Sequence, residues 1–268
     1  SAALEAAAAL DRPDARERAL AALARILDEA WDEQRGIAHR VGDDGPSVWG
    51  LLDDQAQLLA ALVEAHVQTG AARWLEVARR LSALLRRDWA DPRGGYADMA
   101  TWARADVPVE VLAEPDRPVA DAPTPGANAV AAAAHARLHL LTGDPAEREA
   151  AEGILAAFAH ESRRQGVFAA TYLLALDAAL DPPPHVTVVA APGDARGDAL
   201  AKAALAPYAP GRVVVRLEPG ASGEGIPAAA RGMLAHAGAG PLAFVCHGTS
   251  CSAPTADPGA LARLVGKG

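Results

Sequence analysis

Lysine is almost missing from this chain. Only Lys202 and Lys267 occur, and although arginine raises the basic total to 25, no basic run offsets 34 acidic residues, a net charge of -9 and a pI near 5.3. That balance argues against a nucleic-acid surface, which needs clustered cations. Cysteine is just as scarce. Cys246 and Cys251 are too few for a disulfide scaffold, and a cytoplasmic location is the default expectation. No apolar run is long enough to span a bilayer, and the N-terminus has no basic segment followed by an apolar one, so neither a membrane partner nor a signal peptide is expected. The chain opens at Ser1 rather than methionine, as a fragment, a processed product or a trimmed chain would.

Apolar surface, by contrast, is plentiful. With 51% hydrophobic residues, 268 residues suffice for one large domain or two ordinary ones and exclude a largely disordered chain. The bias to arginine and alanine is the mark of a GC-rich source rather than of a function. A small-molecule or protein partner is the remaining expectation, with no cofactor implied.

The stretch DAPTPGANAVAAAAHARLHLLTGD, residues 121–144, is the best specified element. Pro123 and Pro125 restrict the backbone before a helix, Thr124 is placed to cap its first turn, and Gly143 supplies the stop. From Ala129 to Ala134 the helix has no large polar group, so most of its circumference is suited to burial. Asp121 and Asn128 stand at its mouth, where the helix dipole is positive.

Before it, residues 1–10 read as the tail of a helix. Ala15 to Trp31 is amphipathic, a polar connection runs to Gly50, and a second apolar helix starts near Leu52 and stops at Gly70. A two-faced helix from about Ala72 to Trp89 follows, then a long loop from Ala90 to Ala120. After residue 144 come a two-faced helix (Pro145 to His160) and a third apolar one (about Val167 to Leu180). HVQTGAARWLEVARRLSALL and LHLLTGDPAEREAAEGILAAF repeat one pattern: apolar helix, Thr-Gly turn, amphipathic helix. Inner helices covered by outer ones, as in α/α toroids and helical solenoids, fit that alternation. Pro182 to Pro184 end the helical part. HVTVVAAPG, GRVVVRLEP and PLAFVCHG read as strands, with helices near Ala195 to Leu205, Ile226 to Ala237 and Pro258 to Val265, the layout of a small, mostly parallel α/β unit. The fold class is therefore mainly α, a helical-hairpin domain over residues 1–183 followed by a small α/β domain over 184–268.

LLDDQAQLLAALVEA, GGYAD, DAPTPGAN with its alanine-rich helix and LTGD, and VCHGTSCSAPTADP occur in an order that resembles the later part of the spermatogenesis-associated, thioredoxin-domain-containing protein family. The resemblance implies a thioredoxin-like domain followed by an (α/α)6 barrel of the six-hairpin glycosidase and N-acylglucosamine 2-epimerase type, then a small α/β portion. With no Cys-x-x-Cys segment and about seven helices, this sequence corresponds to the second half of the barrel and that last portion. Its implied partners are a sugar-like ligand and either the missing N-terminal half or another subunit. The family motif D-G-A-x-P-S-G-N reads here as Asp121 to Asn128 without its serine and one glycine, and the arginine of V-C-R is replaced by His247.

In a ring of hairpins the starts of inner helices converge on one mouth. Asp53, Asp54 and Gln55 begin one such helix and Thr124 to Asn128 the next. Asp53, Asp54 and Asp121 are the candidate catalytic carboxylates; Trp49, Gln55, Tyr96, Asp98, Trp102, Thr124 and Asn128 are the candidate substrate-binding residues. Acids and aromatic platforms suit sugars, since rings stack on apolar sugar faces and carboxyl groups bind hydroxyls or transfer protons. The alternative is that Asp53, Asp54 and Thr124 serve only as helix-start residues. His66 and His135 lie well beyond the first turn and read as buried structural histidines, which disfavours an epimerase histidine pair; His139 and His160 sit near helix ends. Cys246 and Cys251 are a candidate redox pair, but four intervening residues do not imply an activated thiol, and a structural loop with two reduced thiols is the favoured reading. With His247 they fall short of a zinc ligand set, so no metal is expected.

Overall fold

The computed structural model describes residues 2–105, 114–221, 234, 240–248 and 250–266. Helix α1 (Ala2–Ala9) turns into α2 (Pro13–Ala30), which opens with proline at its first position, where the missing N–H removes nothing from the helix ladder. Next come three short antiparallel strands, β1 (Trp31–Asp32), β2 (Gly36–Gly42) and β3 (Gly45–Trp49), where the sequence pattern gives only a polar connection. Gly42 pairs with Gly45 across Asp43 and Asp44, a two-residue hairpin turn. The strands lack a clean apolar alternation because only the first half of β2 is buried.

Helices α3 (Leu52–Thr69) and α4 (Ala72–Asp88) form one hairpin. The long loop holds the single-turn α5 (Thr101–Arg104), and its residues 106–113 lie outside the described part. Helices α6 (Ala127–Thr142) and α7 (Pro145–Gln165) form the second hairpin. A 3-10 turn (Gly166–Ala169) then leads into α8 (Ala170–Leu180). Helix α6 packs between α3 and α8, while α4 covers α3 and α7 covers α6. The apolar members are thus inner and the two-faced members outer: Trp74, Leu81 and Leu85 of α4 point inward while Arg73, Arg79, Arg80 and Arg87 stay in water.

The repeat extends to individual hydrogen bonds. Helices α3 and α6 both stop at a left-handed glycine, Gly70 at φ 69° and Gly143 at φ 72°, a conformation that costs glycine nothing. The hydroxyls of Thr69 and Thr142 donate to the carbonyls of Ala65 and Leu138 and accept from the N–H groups of Ala71 and Asp144. His66 Nδ1 lies 3.1 Å from the Ala71 carbonyl and His139 Nδ1 lies 2.9 Å from that of Asp144. A carbonyl only accepts, so both rings carry hydrogen on Nδ1, and these histidines are helix-stop clasps.

Pairing between α3 and α6 fixes their directions. Gln57 Nε2 reaches the Pro125 carbonyl at one end (3.4 Å), and Arg137 pairs with Glu64 towards the other (2.7 Å). Both helices therefore start on the same side. Glu64 is buried; burial pushes its carboxyl up, and Arg137 and Gln68 hold it lower still than an ordinary carboxylate.

The α/β part consists of β4 (His185–Val189), α9 (Ala195–Leu205), β5 (Val213–Leu217), β6 (Leu242–His247), β7 (Ser250–Cys251) and α10 (Pro258–Val265). The sheet order is β5-β4-β6-β7. Only β4 and β5 are parallel; β6 runs antiparallel to β4, and β7 to β6, so the mostly parallel expectation is corrected. A buried apolar run reads alike in either direction, and periodicity could not have told them apart. The helix expected from Ile226 to Ala237 falls, apart from Leu234, outside the described residues. This unit sits at the carboxyl ends of α3 and α6, where Arg216 donates to the Gln68 carbonyl and Arg137 to that of Arg212, and one apolar core runs through both parts.

Candidate functional site

The mouth lies at the opposite end, where α3 and α6 begin. Asp53 is exposed in the first turn of α3, and Asp54 beside it is partly covered. Asp54 faces His39 of β2, whose Nδ1 stands 3.0 and 3.1 Å from the two carboxylate oxygens. A carboxylate only accepts, so His39 Nδ1 is the donor and its Nε2 points away from the pair. His39 is the mouth residue that sequence reasoning missed. Its only signal was the Asp43-Asp44 turn, which folds β3 back on β2.

Most of the other expected ligand residues are committed to the fold. Gln55, fully buried, accepts from the N–H of Ile37 and donates to its carbonyl, substituting for a neighbouring strand. A Cβ on Gly36 would stand 2.2 Å from Gln55 Oε1, which explains glycine there. Asn128, also fully buried, accepts from the N–H of Tyr96 (2.7 Å) and donates to the carbonyls of Tyr96 (2.9 Å) and Pro118 (3.0 Å). It pins the GGYAD loop to α6 and cannot reach a ligand. Asp98 lends its backbone to Leu52 and Asp116, and burial, opposed by Arg104, raises its carboxyl above the ordinary value.

Asp121 bridges two helix starts. One oxygen accepts from the Gly126 N–H (2.8 Å) and the other from that of Thr171 (2.9 Å). Burial pushes its pKa up, but these two N–H groups outweigh it and hold the carboxyl below the usual range, so the group is an anion anchored between α6 and α8. Thr124 caps nothing: Gly126 holds the cap position without a side-chain bond, and Thr124 is exposed on the turn. The expectation failed because the chain between them bends back, bringing Gly126 so close to Val119 that a Cβ would stand 2.1 Å from its carbonyl oxygen.

The aromatic residues divide. Trp49 is half-buried, with the Arg35 guanidinium 4.0 Å above its ring. Trp102 packs edge-on against Trp89, centroids 6.3 Å apart, and its Nε1 is buried without a partner among the described residues. Tyr96 is directed inward. Its hydroxyl meets His135 Nε2 (2.7 Å), His135 Nδ1 meets Glu147 (2.7 Å), and Glu147 accepts from Ser82 and Arg86. Burial raises the Tyr96 pKa, so the phenol keeps its proton and donates it to Nε2, leaving Nδ1–H for the carboxylate. This chain joins the GGYAD loop to α4, α6 and α7, and with His135 at 0% exposure it is closed to substrate.

In the α/β part the two cysteines are not reduced. Cys246 and Cys251 are opposed across β6 and β7, their Cα atoms 4.0 Å apart, and they form a disulfide. Sequence spacing counted intervening residues, whereas a hairpin turn brings the ends together. Cavities of about 360 Å³, beside Arg196 and Pro258, and about 280 Å³, at the carboxyl ends of β4 and β5, also lie here, and neither includes a mouth residue. Among the described residues no three His, Cys, Asp or Glu converge as a metal site, and no helix is long and apolar enough to cross a membrane.

No family model matches the chain. Spermatogenesis-associated protein 20 of Mus musculus is 27% identical over 181 residues, covering 67% of this chain and 22% of the relative. The protein of that name from Homo sapiens is 26% identical over 239 residues, 86% of this chain and 29% of the relative. The chain thus spans less than a third of the length of these relatives. The chain is similar to spermatogenesis-associated protein 20 over 67 to 86% of its own length.

Proposed function

We propose that this chain is an association module, a run of helical hairpins that completes a larger α/α toroid by docking α8 against apolar hairpins of the preceding part of a longer protein. The carrying observation is the uncovered side of α8. Tyr172 and Ala175 are buried, while Leu173, Leu174 and Leu180 are exposed, Leu180 by 78%, and Val167 and Phe168 extend the strip. In this series α6 has an inner neighbour on each side, whereas α8 packs against α6 and, among the described residues, its other side is open. An apolar strip of this kind is a docking face rather than a water-facing surface. The greater length of the relatives supports an occupant from the remainder of a longer chain. The test is to mix the chain with the segment of the mouse relative that precedes its matched region and follow sedimentation. A complex is expected, and the double substitution Leu173→Asp with Leu174→Asp should weaken it at least about a hundredfold, from the burial lost by two leucines, with an unchanged circular dichroism spectrum. No complex, or one indifferent to the substitutions, rejects the reading.

A second reading rests on His39, Asp54 and Asp53 standing together at the mouth: a small polyhydroxylated ligand, sugar-like in its hydroxyl pattern, held there. A sugar panel followed by thermal shift should find a ligand that stabilises the protein but not its Asp54→Asn variant. A panel with no stabiliser counts against it.

A further inference from the structure

The register of the second sheet sets one row of residues side by side: Val213 on β5, His185 on β4, Cys246 on β6 and Cys251 on β7. Directly opposed residues stand on the same face with Cβ atoms about 4.5 to 5.5 Å apart, so the His185 side chain leaves the sheet beside that of Cys246. The two sulfurs differ in access. Cys246 is buried at 4% exposure and Cys251 is exposed. His185 is 8% exposed, and its Nε2 is buried with no hydrogen-bond partner among the described residues. Burial lowers its pKa, against the backbone carbonyls of Leu140 and of His185 itself, which raise it. In the neutral ring with its hydrogen on Nδ1, the unpartnered Nε2 is a bare acceptor.

A disulfide has no hydrogen to offer that acceptor, whereas a thiol at Cys246 does. We propose that Cys246 and Cys251 form a thiol–disulfide exchange site for an exposed dithiol, with His185 biasing it towards reduction by accepting a hydrogen bond from the Cys246 thiol. A thiolate of the incoming dithiol attacks the exposed Cys251 sulfur, the Cys246–Cys251 bond breaks, and Cys246 leaves as a thiolate that takes up the proton released from the attacking thiol. The second thiol of the partner, on losing its proton, attacks its own sulfur in the mixed disulfide and expels Cys251, which is protonated in turn. Two electrons and two protons pass from the dithiol, which becomes a disulfide. The cross-link closes a separation of only 5 residues, and a short loop gains less from closure than a long one. His185 is a positioning residue here, because it acts through Cys246.

The full chain is equilibrated in dithiothreitol buffers of graded oxidation, quenched with an alkylating agent and weighed. His185→Leu should lower the equilibrium constant for reduction by about three- to tenfold, the worth of one weak hydrogen bond, and His185→Gln, which restores an acceptor oxygen, should stay within about twofold of the parent. A Leu variant that titrates like the parent overturns the proposal, as does a Gln variant that shifts as far as Leu. A second measurement does not depend on substituting His185. Cys251 in a Cys246→Ser chain should react with an aromatic disulfide reagent at least about tenfold faster than Cys246 in a Cys251→Ser chain, since access governs attack. Equal rates would remove the assigned roles of the two sulfurs.

Discussion

Glu147→Ala should destabilise the protein by about 3 to 5 kcal/mol, because it removes one member of a buried charged pair and strands the others. Glu147 is 3% exposed and accepts from Ser82, His135 and Arg86, which belong to α4 and α6. Alanine removes the carboxylate that the buried Nδ1–H of His135 and the Ser82 hydroxyl donate to, leaving them only each other at 3.4 Å. Urea unfolding should show a lower midpoint with an unchanged slope. The pH dependence carries the same signature. Burial raises the Glu147 pKa, but His135, Ser82 and Arg86 hold it below the ordinary value. Its stabilisation is therefore present above the unfolded pKa of about 4.3 and lost as pH falls through the lower folded value. His66 and His185 are depressed by burial, so the unfolded chain takes up their protons first and stability begins to fall below about pH 6.5. The substitution should flatten the lower phase and leave the upper one. A loss under 1 kcal/mol, or an unaltered acid limb, would mean that the buried network contributes little.

Asn128→Ala should cost about 3 kcal/mol, since it leaves the N–H and carbonyl of Tyr96 unpaired where water cannot replace the amide. The same residue stands in a motif that reads, from sequence, as a ligand contact. The two roles predict different outcomes: a ligand residue at a solvent-facing mouth could be removed with a change within about 0.5 kcal/mol. Thermal and urea unfolding in the absence of any ligand decide between them.

Asn128, Gln55 and Tyr96 show why that motif was legible while its role was not. Each polar residue beside an apolar helix start was visible as an exception to burial, and exceptions collect both at sites and at places where a loop must be tied down. What separates these cases is the partner. Gln55 meets Ile37 from 18 residues away, and Asn128 meets Tyr96 from 32. No spacing rule connects such positions. His39 is the reverse case: an ordinary histidine in a polar connection until a hairpin folds it over Asp54. The Thr-Gly stops were readable because their hydrogen bonds lie within a few residues, whereas the histidine clasps three positions before each threonine emerged only from the structure.

The sequence by itself determined where the inner helices end and, to within a few residues, where they begin, and which face of each outer helix stays in water. It also determined that a strand-bearing unit follows Pro182 to Pro184. Those properties depend on local hydrogen bonds and on apolar periodicity, both short-ranged. Only the tertiary structure decided that Asp121 is an anchor between two helices, that β6 runs against β4, and that Cys246 and Cys251 are joined beside His185. These depend on which distant segments come into contact, and that is settled by the packing of the whole core rather than by any stretch of chain within it.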